Sequence, residues 1–359
     1  MPDLSGTTRR RNFIQTAAAA GAIAVAGCVG GGSGDDKPDS LTYLSWGGST
    51  QQAAREYFPE WTEETGIEIE HRSAAGDSEF ISIIEQNPGG IDLFLPSSIG
   101  IARARERDLL AEVDYEKVPN YLDNMDEEWR DRPYIENDAF FRDALTQGIS
   151  VNTDLTDREV TSFQDLKAEE YRDEMALRDA AVSRFTNCAQ TLGLDVNDLP
   201  DNQDQYDKVV EELEAQHENV FGYWGAADQM VQWLQEERAT VLEGFGGRTR
   251  SLIEEGMDQF EYIIPEEGTF TVTEDWAIPA GTNHIEWVYD LLNFCYQIDV
   301  GVGMAQIHGY PIAFEDPPKE IRNLPDFVED PNRLAWVDWD KIIPVMDDWQ
   351  REFERILQS

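Results

Sequence analysis

Positive charge is scarce in this sequence: 28 Lys and Arg stand against 72 Asp and Glu in 359 residues, a formal net charge of −44. So few cations leave no continuous basic surface to neutralise phosphates, which excludes nucleic acid as a partner. Cysteine is nearly absent too. Apart from Cys28, only Cys188 and Cys295 are present, without the Cys-x-x-Cys spacing of zinc or redox sites; they could pair or remain free buried thiols. The four histidines, His71, His217, His284 and His308, lie far apart and none has a partner at metal-ligand spacing, so no metal or cofactor is expected. There is no Gly-x-Ser-x-Gly elbow and no Gly-x-x-x-x-Gly-Lys-Ser/Thr phosphate loop. Nothing after Cys28 approaches the roughly 20 apolar residues of a membrane span. An enzyme therefore has no residue motif to stand on, and an exported enzyme on a two-lobed frame is kept only as an alternative.

What is present argues for a folded body. Hydrophobic residues make up 41% and aromatics 11%, with 10 Trp. The length exceeds one ordinary core and suits two lobes of roughly 150 residues each. The acids are spread among regularly spaced apolar residues, the pattern of a carboxylate-coated surface rather than a disordered tail. Such self-repulsion is tolerable when molar salt shortens the Debye length to about 3 Å. A halophilic protein is expected.

The amino end reads as an export address. Arg10-Arg11-x-Phe13-Ile14 resembles a twin-arginine signal, and the apolar run Ala17 to Ala26 is too short to span a bilayer permanently. Val25-Ala26-Gly27-Cys28 looks like a lipobox in which the Cys28 thiol is acylated after cleavage. Residues 1–27 are then the signal and 28–40 a Gly-rich tether on the outer face of the membrane.

The mature chain opens with alternating elements. Leu41 to Trp46 reads as a strand, Gln51 to Thr65 as a helix closed by Gly66, and Ile67 to Glu70 as a half-buried strand. Glu79 to Gln86 reads as a helix, followed by the breaker Asn87-Pro88-Gly89-Gly90 and the apolar strand Ile91 to Leu95. This order predicts a parallel sheet covered on both faces, with ligands beyond the carboxyl ends of its strands. Trp46 and Ser97 fall at such ends. Gln147 to Asn152 is a strand crossing between lobes, Thr240 to Gly244 and Glu261 to Ile264 are strands of the second lobe, and Glu274 to Pro279 crosses back. Asp165 to Met175 is rich in helix formers, and amphipathic stripes run through Tyr206–Leu213, Val288–Cys295 and Ile343–Leu357. The expected fold is α/β, with lobe 1 at 41–146 and 276–318 and lobe 2 at 147–275 and 319–359.

Several segments carry a family resemblance. Leu44-Ser45-Trp46, Trp61-Thr62-Glu63-Glu64-Thr65-Gly66-Ile67 and Asp92-Leu93-Phe94-Leu95-Pro96-Ser97-Ser98 come first. Ile264-Pro265-Glu266-Glu267-Gly268, Glu274-Asp275-Trp276-Ala277-Ile278-Pro279-Ala280-Gly281-Thr282-Asn283, Leu292-Asn293-Phe294 and His308-Gly309-Tyr310-Pro311 follow in order. Together, over about Leu41 to Ser359, the chain resembles the extracellular solute-binding proteins of ABC importers, in their spermidine/putrescine-binding branch. The resemblance implies a two-lobed, type II periplasmic-binding-protein-like fold, each lobe a doubly wound, mostly parallel sheet, joined by a hinge crossed at least twice. It implies a monomer that closes over a small molecule and delivers it to ABC permease subunits. By position, Trp46, Ser97 and Tyr310 match cleft residues of the family, and Glu274 falls where a carboxylate meets an amine, with Asp275 the candidate if the register slips by one.

The departures fall at the other ligand positions. Ser49 and Ile99 stand where the family has aromatics, and Phe245 and Val272 where it has tryptophans of the second lobe. Its acidic stretch there becomes Asp179-Ala180-Ala181-Val182-Ser183, leaving one acid and bringing Arg184 close. The ligand is a polyamine such as spermidine or putrescine, or alternatively a small organic anion or amino-acid-like solute clamped by Arg184 or Arg248.

Overall fold

The computed structural model describes residues 37–134 and 136–359; the signal segment, Cys28 and most of the tether lie outside the described residues. The amino-terminal elements follow the periodicities that code them. Strand β1 (Ser40–Trp46) buries residues on both faces. Helix α1 (Ser49–Thr65) turns Ala53, Ala54, Phe58 and Trp61 inward, and ends at Gly66, whose φ of 67° suits the left-handed cap and whose N–H donates to Thr62 O. Next come β2 (Glu68–Ala74), α2 (Asp77–Gln86), the short β3 (Leu93–Phe94) and α3 (Ser98–Arg105). Strands β2 and β3 flank β1 and both run parallel to it, as two crossover helices require.

Strand β4 (Ala139–Asn152) is long enough to serve two sheets. Five further strands complete the array: β5 (Met175–Arg178), β6 (Val220–Trp224), β7 (Val241–Phe245), β8 (Phe260–Ile263) and β9 (Thr269–Ala277), with the two-residue β10 (Leu334–Ala335) beside β9. Ala139 to Thr146 of β4 pairs antiparallel with β9, which reaches β3 at Phe94. Gln147 to Asn152 pairs instead with β7 and β8, and β7 leads to the parallel pair β5 and β6. The change of partner between Thr146 and Gln147 divides the array into two sheet-centred halves that share β4.

The helical stripes cover these halves. Helix α4 (Ala181–Thr191) and α5 (Gln203–His217) pack with the last helix, α10 (Met346–Leu357), where Trp349 stacks on Phe185 at 4.7 Å between ring centroids. Between them in sequence lie α6 (Ala227–Gln235), α7 (Gly246–Glu254), α8 (Ile285–Cys295) and α9 (Ile298–His308). The run Asp165 to Met175 is not a regular helix. It holds two short 3-10 turns, Phe163–Lys167 and Glu169–Tyr171, because burying Phe163, Leu166 and Tyr171 in one core pins a tighter path than an α-helix allows. Cys188 and Cys295 are free buried thiols in separate cores. Among the described residues no helix is long and apolar enough to cross a membrane.

Candidate ligand-binding site

Three backbone features bring charged groups together at the end of the first sheet. Ser97, directly after β3, caps α3: its Oγ accepts from Gly100 N at 3.4 Å and donates to Asp77 Oδ2 at 2.6 Å, while its N–H donates to Asp77 Oδ1 at 3.0 Å. Ser97 also bridges Glu274 of β9 across the antiparallel contact. The β4–β9 register then slips between Phe141 and Asp143, a bulge that leaves Arg142 without a partner residue and sets Asp143 opposite Glu274. Arg142 is fully enclosed, and its Nη1 lies 2.9 Å from Glu274 Oε2 and 3.0 Å from Asp143 Oδ2.

The third feature is the end of α9 and the loop beyond it, which bring in His308 and Tyr310. His308 Nδ1 lies 3.7 Å from Asp143 Oδ2, and Tyr310 stacks on the imidazole with 6.0 Å between ring centroids. Burial and the Arg142 charge hold His308 well below its ordinary pKa, so the ring is neutral. Tyr310 reaches across to the second half. A methyl group on Gly247, at the start of α7, would stand 3.6 Å from its ring. Asp326 lies against that same helix start: its Oδ1 accepts from Thr146 N at 2.8 Å, and a methyl group on Gly246 would meet its Oδ2 at 2.7 Å.

The electrostatic result is an excess of buried carboxyl groups over buried cations. Asp143 and Glu274 share one guanidinium, Arg142, beside a neutral imidazole, while buried Asp326 is held by Thr146 rather than by a cation. Burial, with Asp143 beside it, lifts Glu274 toward about 8; burial lifts Asp143 likewise, and lifts Asp326 to about 6. Glu274 is the least enclosed of the three, with a tenth of its side chain exposed. An arriving ammonium would supply the second positive charge that these carboxylates lack.

The second half presents the carboxyl ends of β5, β6 and β7. Phe245 closes β7 and meets Trp224, the last residue of β6, edge to face at 5.4 Å. Arg178, the last residue of β5, lies over both rings. Gln147 of β4 sits directly opposite Phe245.

The expected site residues divide accordingly. Ser97 and Glu274 are backbone bridge partners, Tyr310 joins the Glu274 cluster through His308 and Asp143, and Trp46 stands half-buried at the end of β1, edge-on to Phe80 at 4.9 Å. Phe245 lies at the end of the second sheet, and Asp179 beside it is exposed, its N–H donating to Trp224 O. Asp275 points the other way, as strand alternation demands. Its Oδ1 is 2.6 Å from Arg132 and its Oδ2 accepts from Thr273, and it lines a separate cavity of about 240 Å³ with Arg105, Asp138, Trp336 and Trp339. Arg184 is corrected from clamp to core residue. It is fully buried on the inward face of α4, with Nη1 3.0 Å from Glu243 Oε2 and Nη2 donating to Gln216. Its charge is already matched. Arg248 is exposed near the start of α7.

Sequence reasoning missed Arg142, Asp143, His308, Asp326 and Arg178. A signal existed for the first two, since Arg-Asp interrupts the otherwise apolar run Ala139-Phe140-Phe141 and Ala144-Leu145. Among the described residues no group of His, Cys, Asp and Glu is placed to hold a metal ion.

Residues 56–335 match the family model of the bacterial extracellular solute-binding protein. A spermidine/putrescine-binding periplasmic protein of Salmonella typhimurium is 25% identical over 297 residues, 82% of each chain. Among solved structures, a spermidine/putrescine ABC transporter substrate-binding protein from Streptococcus pneumoniae superposes with a TM-score of 0.78 at 21% identity, covering 89% of this chain and 99% of that one. A GABA receptor superposes with a TM-score of 0.70 at 18% identity, covering 88% and 97%.

Proposed function

This chain belongs to the bacterial extracellular solute-binding proteins, and from that premise we propose that it captures a small amine-bearing solute and delivers it to the permease of an ABC importer. The observation that carries the amine is the imbalance at Glu274, where two buried carboxyl groups share one buried guanidinium. The curated relatives bind spermidine and putrescine, and one structural neighbour is a receptor for an amino acid, which supports the same chemical group. Capture proceeds by hinge closure about the partner change in β4, a ligand shifting an open–closed equilibrium. The lobes expected from the sequence, 41–146 with 276–318 and 147–275 with 319–359, need adjusting at two places: β9 pairs with Ala139 to Thr146 of β4 and with β3, and Ile321, Leu324 and Val328 pack in the core of Leu41 and Tyr43, so both segments go with the first half. Export by the twin-arginine route and acylation of Cys28 would hold the receptor beside its permease.

The test is a thermal-shift and titration screen of amines in molar salt with the mature protein. Binding is expected to raise the melting temperature, and Glu274→Gln to weaken it about thirtyfold or more, the loss typical when one partner of a buried charge pair is removed. A screen in which polyamines, amino acids and other amines all leave the melting temperature unmoved would overturn the proposal.

A further inference from the structure

Arg178 is a cation without a carboxylate. Among the described residues no acid lies within ion-pair distance of its guanidinium, although the side chain is largely withdrawn from water. Glu243 is the acid nearest in effect, but its Oε2 is taken by Arg184 at 3.0 Å and by the Arg178 backbone N–H at 3.0 Å. Burial accordingly depresses the Arg178 pKa.

The side chain is nevertheless held in place. Its guanidinium carbon lies 4.8 Å from the centre of the Phe245 ring and 5.4 Å from that of Trp224. In the amide orientation that satisfies both its ends, Gln147 accepts from Arg178 Nε at 3.1 Å and donates to Ser183 Oγ at 3.0 Å. All four residues stand where β5, β6 and β7 end and β4 changes sheets. From there a continuous path leads back to the carboxylate cluster: Gln147 adjoins Thr146, Thr146 binds Asp326, Asp326 and Tyr310 meet the start of α7, and Tyr310 stacks on His308 beside Asp143.

An unpaired guanidinium held over two rings at the ends of parallel strands is suited to receive a carboxylate. It presents a planar fork of donors, and in such surroundings a charge-assisted pair is strong. We propose that the ligand is an ω-amino acid, with its ammonium at Glu274 and its carboxylate at Arg178. This rests on the receptor reading above and narrows it. A diamine would bring a second positive charge against Arg178, and a diacid a second negative charge against the Glu274 cluster. Only a zwitterion matches both ends.

A matched four-carbon series tests it: 4-aminobutanoate, butane-1,4-diamine and butanedioate, with 5-aminopentanoate and 6-aminohexanoate added to vary length. Each is titrated into the mature protein in molar salt. The expected result is that one of the ω-amino acids binds at least about tenfold tighter than the diamine and the diacid. Arg178→Gln is expected to erase that preference, while Arg178→Lys, which keeps the charge but loses the fork, retains part of it. Should Arg178→Gln fail to fold, the ranking on the unmodified protein together with Arg178→Lys still decides. Tighter binding of the diamine overturns the zwitterion and leaves the receptor standing. Tighter binding of the diacid overturns both the zwitterion and the ammonium at Glu274, and binding of none overturns the zwitterion while the receptor reading stands or falls with the broader amine screen.

Discussion

Glu274 and Asp275 are neighbours in the chain and opposites in the fold, so their loss should register differently. Glu274 shares Arg142 with Asp143 on one face of β9; Asp275 is closed into a pair with Arg132 on the other. Asp275→Asn leaves Arg132 buried without its partner and should cost about 3–5 kcal/mol of folding stability with little change in ligand affinity. Glu274→Gln should do the reverse, relieving a crowded carboxyl group while weakening amine binding about thirtyfold or more. Denaturant unfolding alongside ligand titration separates the two. The raised Glu274 also sets a pH dependence. An acid whose folded pKa lies above its unfolded value favours the folded state in protonated form, so stability without ligand should fall as pH climbs from about 4.5 toward about 8. Ammonium binding needs the carboxylate, so affinity should rise over the upper part of that range and level off above it. Calorimetry in two buffers of different ionisation enthalpy should show proton release at pH 7 and almost none at pH 9.

At the level of elements, β4 is where the architecture is most constrained. Its bulge presents Arg142 and Asp143 to Glu274, and its partner change follows within a few residues. Gly148 stands at that change with its N–H bound to Tyr262 Oη at 2.8 Å, and an added methyl group would lie 2.2 Å from the carbonyl oxygen of Ile263 in β8. A backbone neighbour cannot swing aside, so Gly148→Ala should push β8 outward and cost about 2 kcal/mol or more. A melting-temperature measurement checks this directly, and an unchanged value would mean that the β4–β8 pairing yields to the added methyl group at no cost.

The whole molecule carries its −44 charge as a coat rather than a tail. Helices such as α5 and α10 turn acids outward over apolar stripes. Repulsion within that coat is screened only at high ionic strength, so the melting temperature should climb steadily as sodium chloride is raised from about 0.1 M to 3 M, where the Debye length shrinks from about 10 to 3 Å. A melting temperature indifferent to salt would show that the coat imposes no such cost. Closure about β4 should also appear in solution scattering as a smaller radius of gyration with ligand than without.

Much of this was legible in the chain itself, because the relevant forces are local. The alternation of β1, α1, β2, α2 and β3 follows from apolar periodicity, the Gly66 stop from its left-handed φ, and the second-half strands β7 and β8 from short apolar runs. Even the position of Glu274 on a crossing strand could be read. The site's electrostatics could not, since they arise from groups more than 100 residues apart whose distances no periodicity encodes. A bulge decides that Arg142 meets Glu274, strand alternation across a pairing decides that Asp275 does not, and burial decides that Arg184 is spent on Glu243 while Arg178 stays free of any described acid. Local pattern chose the elements; only the meeting of distant strands, and the exclusion of water from where they meet, chose which charges are left unpaired.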